Sequence, residues 1–113
     1  MVNSKQDIVK ALRSCGLEVY YENFLNSESE IPCISYAEYD NSANAQGDTL
    51  GYSNIVYKIK IWGRDLSTFD KYSALVDNIM REQGFTRTNM NELWLDGIGQ
   101  KEMKYSALAL ENF

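Results

Sequence analysis

The sequence of 113 residues contains no histidine, one proline, two cysteines and no long apolar run. The absence of histidine removes the commonest general base and the commonest metal ligand of proteins. No serine lies in a nucleophile elbow, and the glycines form no phosphate-binding pattern. We therefore expect no catalytic residue and no cofactor, because an enzyme would need carboxylates or tyrosines that act without histidine.

The two cysteines, Cys15 and Cys33, are too few for the disulfide framework of a small secreted domain. They form no CxxC motif, so we expect reduced thiols packed as small apolar groups rather than a zinc site. The segment Asp40–Asp48 has oxygen ligands but lacks the spacing of a calcium loop. The sequence thus predicts no metal site.

The first ten residues are polar and lack the apolar stretch of a secretory signal. Apolar runs elsewhere are far shorter than the ~20 residues that cross a membrane. We expect a protein that folds in the cytosol and has no membrane partner.

Acidic residues outnumber basic ones, 16 to 11, which gives a net charge of −5. Because nucleic-acid binding depends on neutralising phosphates, this balance disfavours specific binding to nucleic acid. One alternative stays open. Small RNA- or nucleotide-binding modules use a basic and aromatic sheet face, for which the candidates here are Lys58, Lys60, Trp62 and Tyr57.

Hydrophobic periodicity and turn residues predict seven elements. Ser4 with Asp7 and Ser67 with Asp70 are spaced like helix-capping pairs, and Asp96-Gly97 is typical of a tight hairpin. The predicted elements are a helix over Met1–Cys15, strands over Leu17–Tyr21, Ile31–Asp40 and Tyr52–Trp62, a helix between Ser67 and Gly84, and strands over Phe85–Leu95 and Gln100–Leu110. This order predicts one α+β domain over residues 1–113, with two helices packed on one side of an antiparallel or mixed sheet of about five strands.

The third predicted strand has the clearest alternation in the sequence. Its apolar positions and its mixed positions fall on opposite sides: Ile55, Tyr57, Ile59 and Ile61 on one, Val56, Lys58, Lys60 and Trp62 on the other. This pattern predicts one buried face and one largely solvent-exposed face, as in an antiparallel sheet.

The segment Asn41–Gly51 has no periodicity, and Leu50 is its only large apolar residue. These features predict a long, exposed and mobile loop. Because loops of this kind adapt to binding partners, its polar residues are the candidates for partner contacts: Asn41, Asn44, Gln46, Asp48 and Thr49.

The element order and a few soft motifs resemble the tail-terminator, or tail-completion, proteins of long-tailed phages and prophages. The motifs are a proline that opens the second strand, an aromatic residue near the end of the third strand, and Gly84-Phe85 after the second helix. The resemblance covers nearly the whole chain through four segments: IPCISYAEYDN, YKIKIWGRD, LSTFDKYSALVDNIMREQGF and WLDGIGQKEMKYSALAL.

The resemblance implies a structural protein of the virion, assembled in the cytoplasm of a bacterial host. Proteins of this family form homo-oligomeric rings, commonly hexamers, that cap the tail tube protein and offer a surface to the head-tail connector proteins. The family has no catalytic residues to transfer to this chain. A head-tail joining or minor capsid protein of the same assembly is the nearest alternative.

Overall fold

The computed structural model describes residues 4–24, 26, 29–43 and 52–110. It has two α-helices, one short 3-10 helix at Glu22–Phe24 and five strands. The helices and strands are α1 (Lys5–Arg13), β1 (Glu18–Tyr21), β2 (Cys33–Ala43), β3 (Tyr52–Gly63), α2 (Leu66–Glu82), β4 (Thr86–Leu95) and β5 (Ile98–Leu110).

The strands form one sheet in the order β1-β2-β3-β5-β4. β1 pairs with β2 in parallel, whereas the other three pairs are antiparallel. The α+β class, the mixed five-stranded sheet and the order helix–strand–strand–strand–helix–strand–strand are therefore confirmed.

The core lies between one face of this sheet and the two helices. The helices contribute their fully buried apolar residues: Ile8 and Leu12 from α1, and Phe69, Val76 and Met80 from α2. Alternate residues of β3, from Ile55 to Ile61, are at most 2% exposed and belong to the same cluster. The predicted buried face of the third strand is thus confirmed, and within the described residues both α-helices pack on this one side of the sheet.

The helix starts follow capping chemistry, but only one of the two predicted pairs is correct. The Ser4 hydroxyl accepts a hydrogen bond from the Asp7 amide at 3.2 Å, as predicted. The second helix is capped by Asp65, whose carboxylate accepts from the Thr68 amide at 2.8 Å. The Ser67–Asp70 pair was wrong because Ser67 already lies inside the first turn, where its hydroxyl donates to Asp65.

The second strand is displaced toward the C-terminus relative to the prediction, since it covers Cys33–Ala43 rather than Ile31–Asp40. A bulge between Glu38 and Asp40 shifts the register, and the ladder to β3 then continues to Ala43. The first three residues of the predicted loop Asn41–Gly51 therefore belong to a strand. The remainder of that loop lies outside the described residues.

The β4–β5 hairpin turns at Asp96 and Gly97, with φ angles of 53° and 78°. Positive φ at both central residues defines the tight turn that the Asp-Gly pair predicts. Next to the turn, a Cβ atom on Gly99 would come within 2.8 Å of the Phe69 ring and 2.9 Å of Trp94. Because Gly99 has no Cβ atom, the rings of Phe69 and Trp94 can pack against each other with their centroids 5.3 Å apart.

Candidate functional site

The side of the sheet away from α1 and α2, called here the open face, is more covered than the sequence predicts. Lys60 and Trp62 are half-buried, and the Lys60 ammonium lies 2.7 Å from Glu22 Oε1. Trp62 Nε1 donates to the hydroxyl of Ser35 at 2.9 Å, and Ser35 is only 1% exposed. The expectation of a largely solvent-exposed face was wrong because long side chains and the segment after β1 cover it.

The charges of the open face are largely balanced. Lys60 pairs with Glu22, and Lys58 Nζ lies 4.0 Å from Glu102 Oε1. Lys58 and Lys104 also sit over the ring of Tyr39, at 5.0 and 4.5 Å from its centroid. A phosphate that approached these lysines would compete with carboxylates already in place.

Tyr57, the fourth residue of the nucleotide-binding alternative, lies on the opposite side of the sheet. It is the cross-strand neighbour of Tyr105 on β5, and it is only 2% exposed, beneath the helices. The structure therefore brings Lys58, Lys60 and Trp62 together on one face but places Tyr57 away from them.

A second feature is an exposed apolar patch at the end of the β4–β5 hairpin, called here the leucine tip. Leu93 and Leu95 are 60% and 72% exposed. With neighbouring residues of the open face they line a shallow hollow of about 370 Å³. The leucine tip consists of Trp62, Leu93, Leu95, Asp96 and Ile98.

The leucine tip ends a free edge of the sheet. β4 is the last strand in the sheet order, and nine of its ten residues are exposed, Met90 being half-buried. A strand in this position presents backbone donors and acceptors that no neighbouring strand of the sheet satisfies. A free strand edge beside an exposed apolar patch is the kind of surface to which another chain can add.

A third feature is a cleft of about 590 Å³ between α1 and the opposite edge of the sheet, called here the tyrosine cleft. Its sheet side is formed by three tyrosines and one carboxylate: Tyr21, Tyr36, Tyr57 and Glu38. Its helix side carries three cations: Lys5, Lys10 and Arg13. Lys5 Nζ lies 3.0 Å from Glu38 Oε2, whereas neither Lys10 nor Arg13 forms an ion pair within the described part of the chain.

A partly buried polar cluster ties α2 to β4 and β5. The Tyr105 hydroxyl, on a residue 1% exposed, donates to Asp77 Oδ1 at 3.1 Å. The same carboxylate lies 2.9 Å from Arg81 and 3.4 Å from Arg87. Asp77 thus satisfies a buried hydroxyl and joins three elements of the fold.

Burial also changes the acidity of three groups in the core. Desolvation raises the pKa of Cys33 from 9.0 to about 11. Desolvation is the main cause that raises the pKa values of Tyr57 and Tyr105 well above the ordinary 10.0. The nearby charge of Glu38 raises the pKa of Tyr57 further, and that of Asp77 raises the pKa of Tyr105. In each case the fold favours the neutral form of the group.

We expect these groups to destabilise the fold at alkaline pH. The unfolded chain ionises Cys33 from about pH 9 and the tyrosines from about pH 10, whereas the folded chain keeps all three neutral to higher pH. The free energy of unfolding, measured by urea titration between pH 7 and 11, should be flat at first and then fall above pH 9. Tyr105→Phe should reduce the slope above pH 10, and a flat profile up to pH 11 would contradict the expectation.

The predicted partner contacts are only partly placed by the structure. Asn41 is exposed on β2, and its amide donates to Glu38 Oε1 at 3.1 Å. The other four candidates, Asn44, Gln46, Asp48 and Thr49, lie outside the described residues. Neither the tyrosine cleft nor the leucine tip was predicted from the sequence.

Across residues 4–24, 26, 29–43 and 52–110, no group of three or more histidine, cysteine or acidic residues is arranged to hold a metal ion. Cys15 and Cys33 are free thiols, half-buried and buried respectively. No helix in the same part of the chain is long and apolar enough to span a membrane. In comparisons with known proteins, the chain matches no family model and no curated protein.

Proposed function

We propose that the protein is a structural subunit of a phage or prophage tail. In this proposal it forms a homo-oligomeric ring, caps the tail tube and joins it to the head connector, and it performs no catalysis. A head-tail joining role in the same assembly would use the same surfaces. The element order and motifs that resemble tail-terminator proteins are the sequence support for this proposal.

The free edge of the sheet is the structural observation on which the proposal depends. Among the described strands, β4 pairs with β5 alone, so the other side of its ten residues is a free edge, and this edge ends in the exposed leucines of the leucine tip. Monomeric proteins usually shorten, charge or cover such an edge, because it pairs readily with other chains. A subunit that works inside an assembly instead has a partner for it.

The open face supports the same proposal by its charge balance. Two of its lysines are matched to Glu22 and Glu102, and the whole chain has a net charge of −5. A subunit of a ring through which DNA must pass needs surfaces that do not retain phosphates. The balanced face meets this need better than it meets the needs of a nucleic-acid module.

The test measures the assembly state of the purified protein alone and with tail tubes of the phage or prophage that encodes it. We expect rings by native mass spectrometry or by electron microscopy, and we expect them at the tube ends. Replacing both leucines of the tip (Leu93→Glu with Leu95→Glu) should abolish ring formation and tube capping without lowering the melting temperature, because both side chains are exposed.

A matched control is available on α2. Leu66 is 61% exposed, close to the value for Leu93, but it lies outside the leucine tip. Leu66→Glu should therefore assemble as the wild type does. A protein that stays monomeric and never binds a tube end would contradict the proposal.

A further inference from the structure

We propose that copies of this chain join head to tail, with the leucine tip of one copy seated in the tyrosine cleft of the next. The inference rests on the self-association proposed above and names the two surfaces that meet. The two surfaces lie at opposite edges of the sheet, since the tip belongs to the β4 edge and the cleft lies beside β1 and β2.

The chemistry of the two surfaces is complementary. The leucine tip offers two exposed leucines and the carboxylate of Asp96, which forms no ion pair among the described residues. The cleft offers tyrosine rings and two cations, Lys10 and Arg13, that also lack an acidic partner there. Joining the surfaces buries apolar side chains against aromatic ones and gives these charges a partner of opposite sign.

Shape supports the same pairing. The two-residue turn at Asp96 and Gly97 makes the tip narrow, and it places Asp96 at its extremity. The cleft, at about 590 Å³, has the size of a typical binding pocket, and one of its lining rings, Tyr21, is exposed and packs edge-to-face against Phe24. The narrow end of the hairpin can therefore enter the cleft.

Head-to-tail contact has a defined consequence for assembly. Because the two surfaces differ, each copy keeps one tip and one cleft free until the chain of copies closes. Contacts of this type produce a ring when the rotation between copies closes, whereas a tip-to-tip contact would stop at a dimer.

The experiment uses two full-length variants that each lose one surface. The cleft variant carries Lys10→Glu with Arg13→Glu, and the tip variant carries Leu93→Glu with Leu95→Glu. All four positions are exposed, so both variants should fold, which circular dichroism checks. Each variant alone should self-associate at least about tenfold more weakly than the wild type in sedimentation velocity.

Mixing the two variants gives the discriminating result. The intact tip of the cleft variant can enter the intact cleft of the tip variant. The opposite contact, between the substituted tip and the substituted cleft, is lost. We therefore expect 1:1 dimers and no larger species. A carbodiimide, which joins an amine directly to a carboxylate, should cross-link Asp96 of the cleft variant to Lys10 of the tip variant. Lys71→Glu, an exposed charge reversal on α2 outside the cleft, serves as the control and should assemble normally.

Three outcomes would overturn the inference: a wild type with no association and no Lys10–Asp96 cross-link, a cleft variant that assembles normally, or a mixture that stays monomeric. Binding of inorganic phosphate by the wild type but not by the cleft variant, with assembly unchanged, would assign the cleft to a small anion instead.

Rings that need both surfaces but leave tail tubes bare would overturn the proposed function alone. If the cleft variant capped tail tubes as well as the wild type does, the inference alone would be overturned.

Discussion

Ile59→Asp is expected to unfold the protein. Ile59 is fully buried on β3, where it lies between Tyr36 of β2 and Met103 of β5 beneath the helices. An unpaired carboxylate at this position costs several kcal/mol, which is comparable to the roughly 5–15 kcal/mol that holds a domain of this size together. A circular dichroism temperature scan should show the loss of a cooperative melting transition.

The control for this substitution lies on the same strand. Asn54 is exposed on the open face, so Asn54→Asp adds the same carboxylate without burying it. Its melting temperature should stay close to that of the wild type. If the two variants melted alike, the assignment of the two faces of β3 would be wrong.

The second large effect is expected at the cluster of Asp77 and Tyr105. Asp77→Ala should lower the free energy of unfolding by about 1–3 kcal/mol, because it leaves the buried Tyr105 hydroxyl without its 3.1 Å acceptor. Tyr105→Phe in the same chain removes the hydroxyl, whose remaining acceptor is the weaker Met103 Sδ at 3.4 Å. The double variant should therefore lose less stability than the sum of the two single variants.

Urea denaturation of the four proteins of this cycle measures the coupling. Arg81→Ala is the control for the ion pair, since the Arg81 side chain is 73% exposed and such surface pairs contribute at most about 1 kcal/mol. Strictly additive losses in the cycle would show that the tyrosine–carboxylate bond does not stabilise the fold.

The sequence predicted the elements well where periodicity is strong and local. The alternation from Ile55 to Ile61 identified a strand with one buried face, and the Asp96-Gly97 pair identified the hairpin. Both signals depend only on neighbouring residues. The strand order, and above all the parallel pairing of β1 with β2, depends on residues far apart in the chain and could be predicted only as a mixed or antiparallel sheet.

The errors have the same physical origin. Asn41 and Ser42 have low strand propensity, yet they extend β2 because β3 offers them pairing partners in Ile55 and Asn54. Asp65 was missed as a cap because two capping residues stand close together in the sequence, and only backbone geometry decides between Asp65 and Ser67. In both cases tertiary context outweighed a local preference.

The tyrosine cleft was missed because its residues come from four separate elements. One signal could have found it: Tyr21, Tyr36 and Tyr57 occupy alternating strand positions that point toward the helices. Tyrosines on a buried face need a partner or solvent for their hydroxyl groups, which favours a position at the border of the core. The leucine tip was equally visible as two leucines just before a turn, but their exposure at a free edge follows only from the strand order.

The contrast between the two thiols has a practical consequence. Cys33 is fully buried, with a pKa of about 11, and stays protonated at neutral pH, whereas Cys15 is half-buried two residues beyond Arg13. Because the thiolate is the reactive form, maleimide dyes should attach to Cys15 well before Cys33 in the native protein. The natural sequence therefore supplies a fluorophore position next to α1 without mutagenesis, from which the proposed contact between copies can be tested by energy transfer.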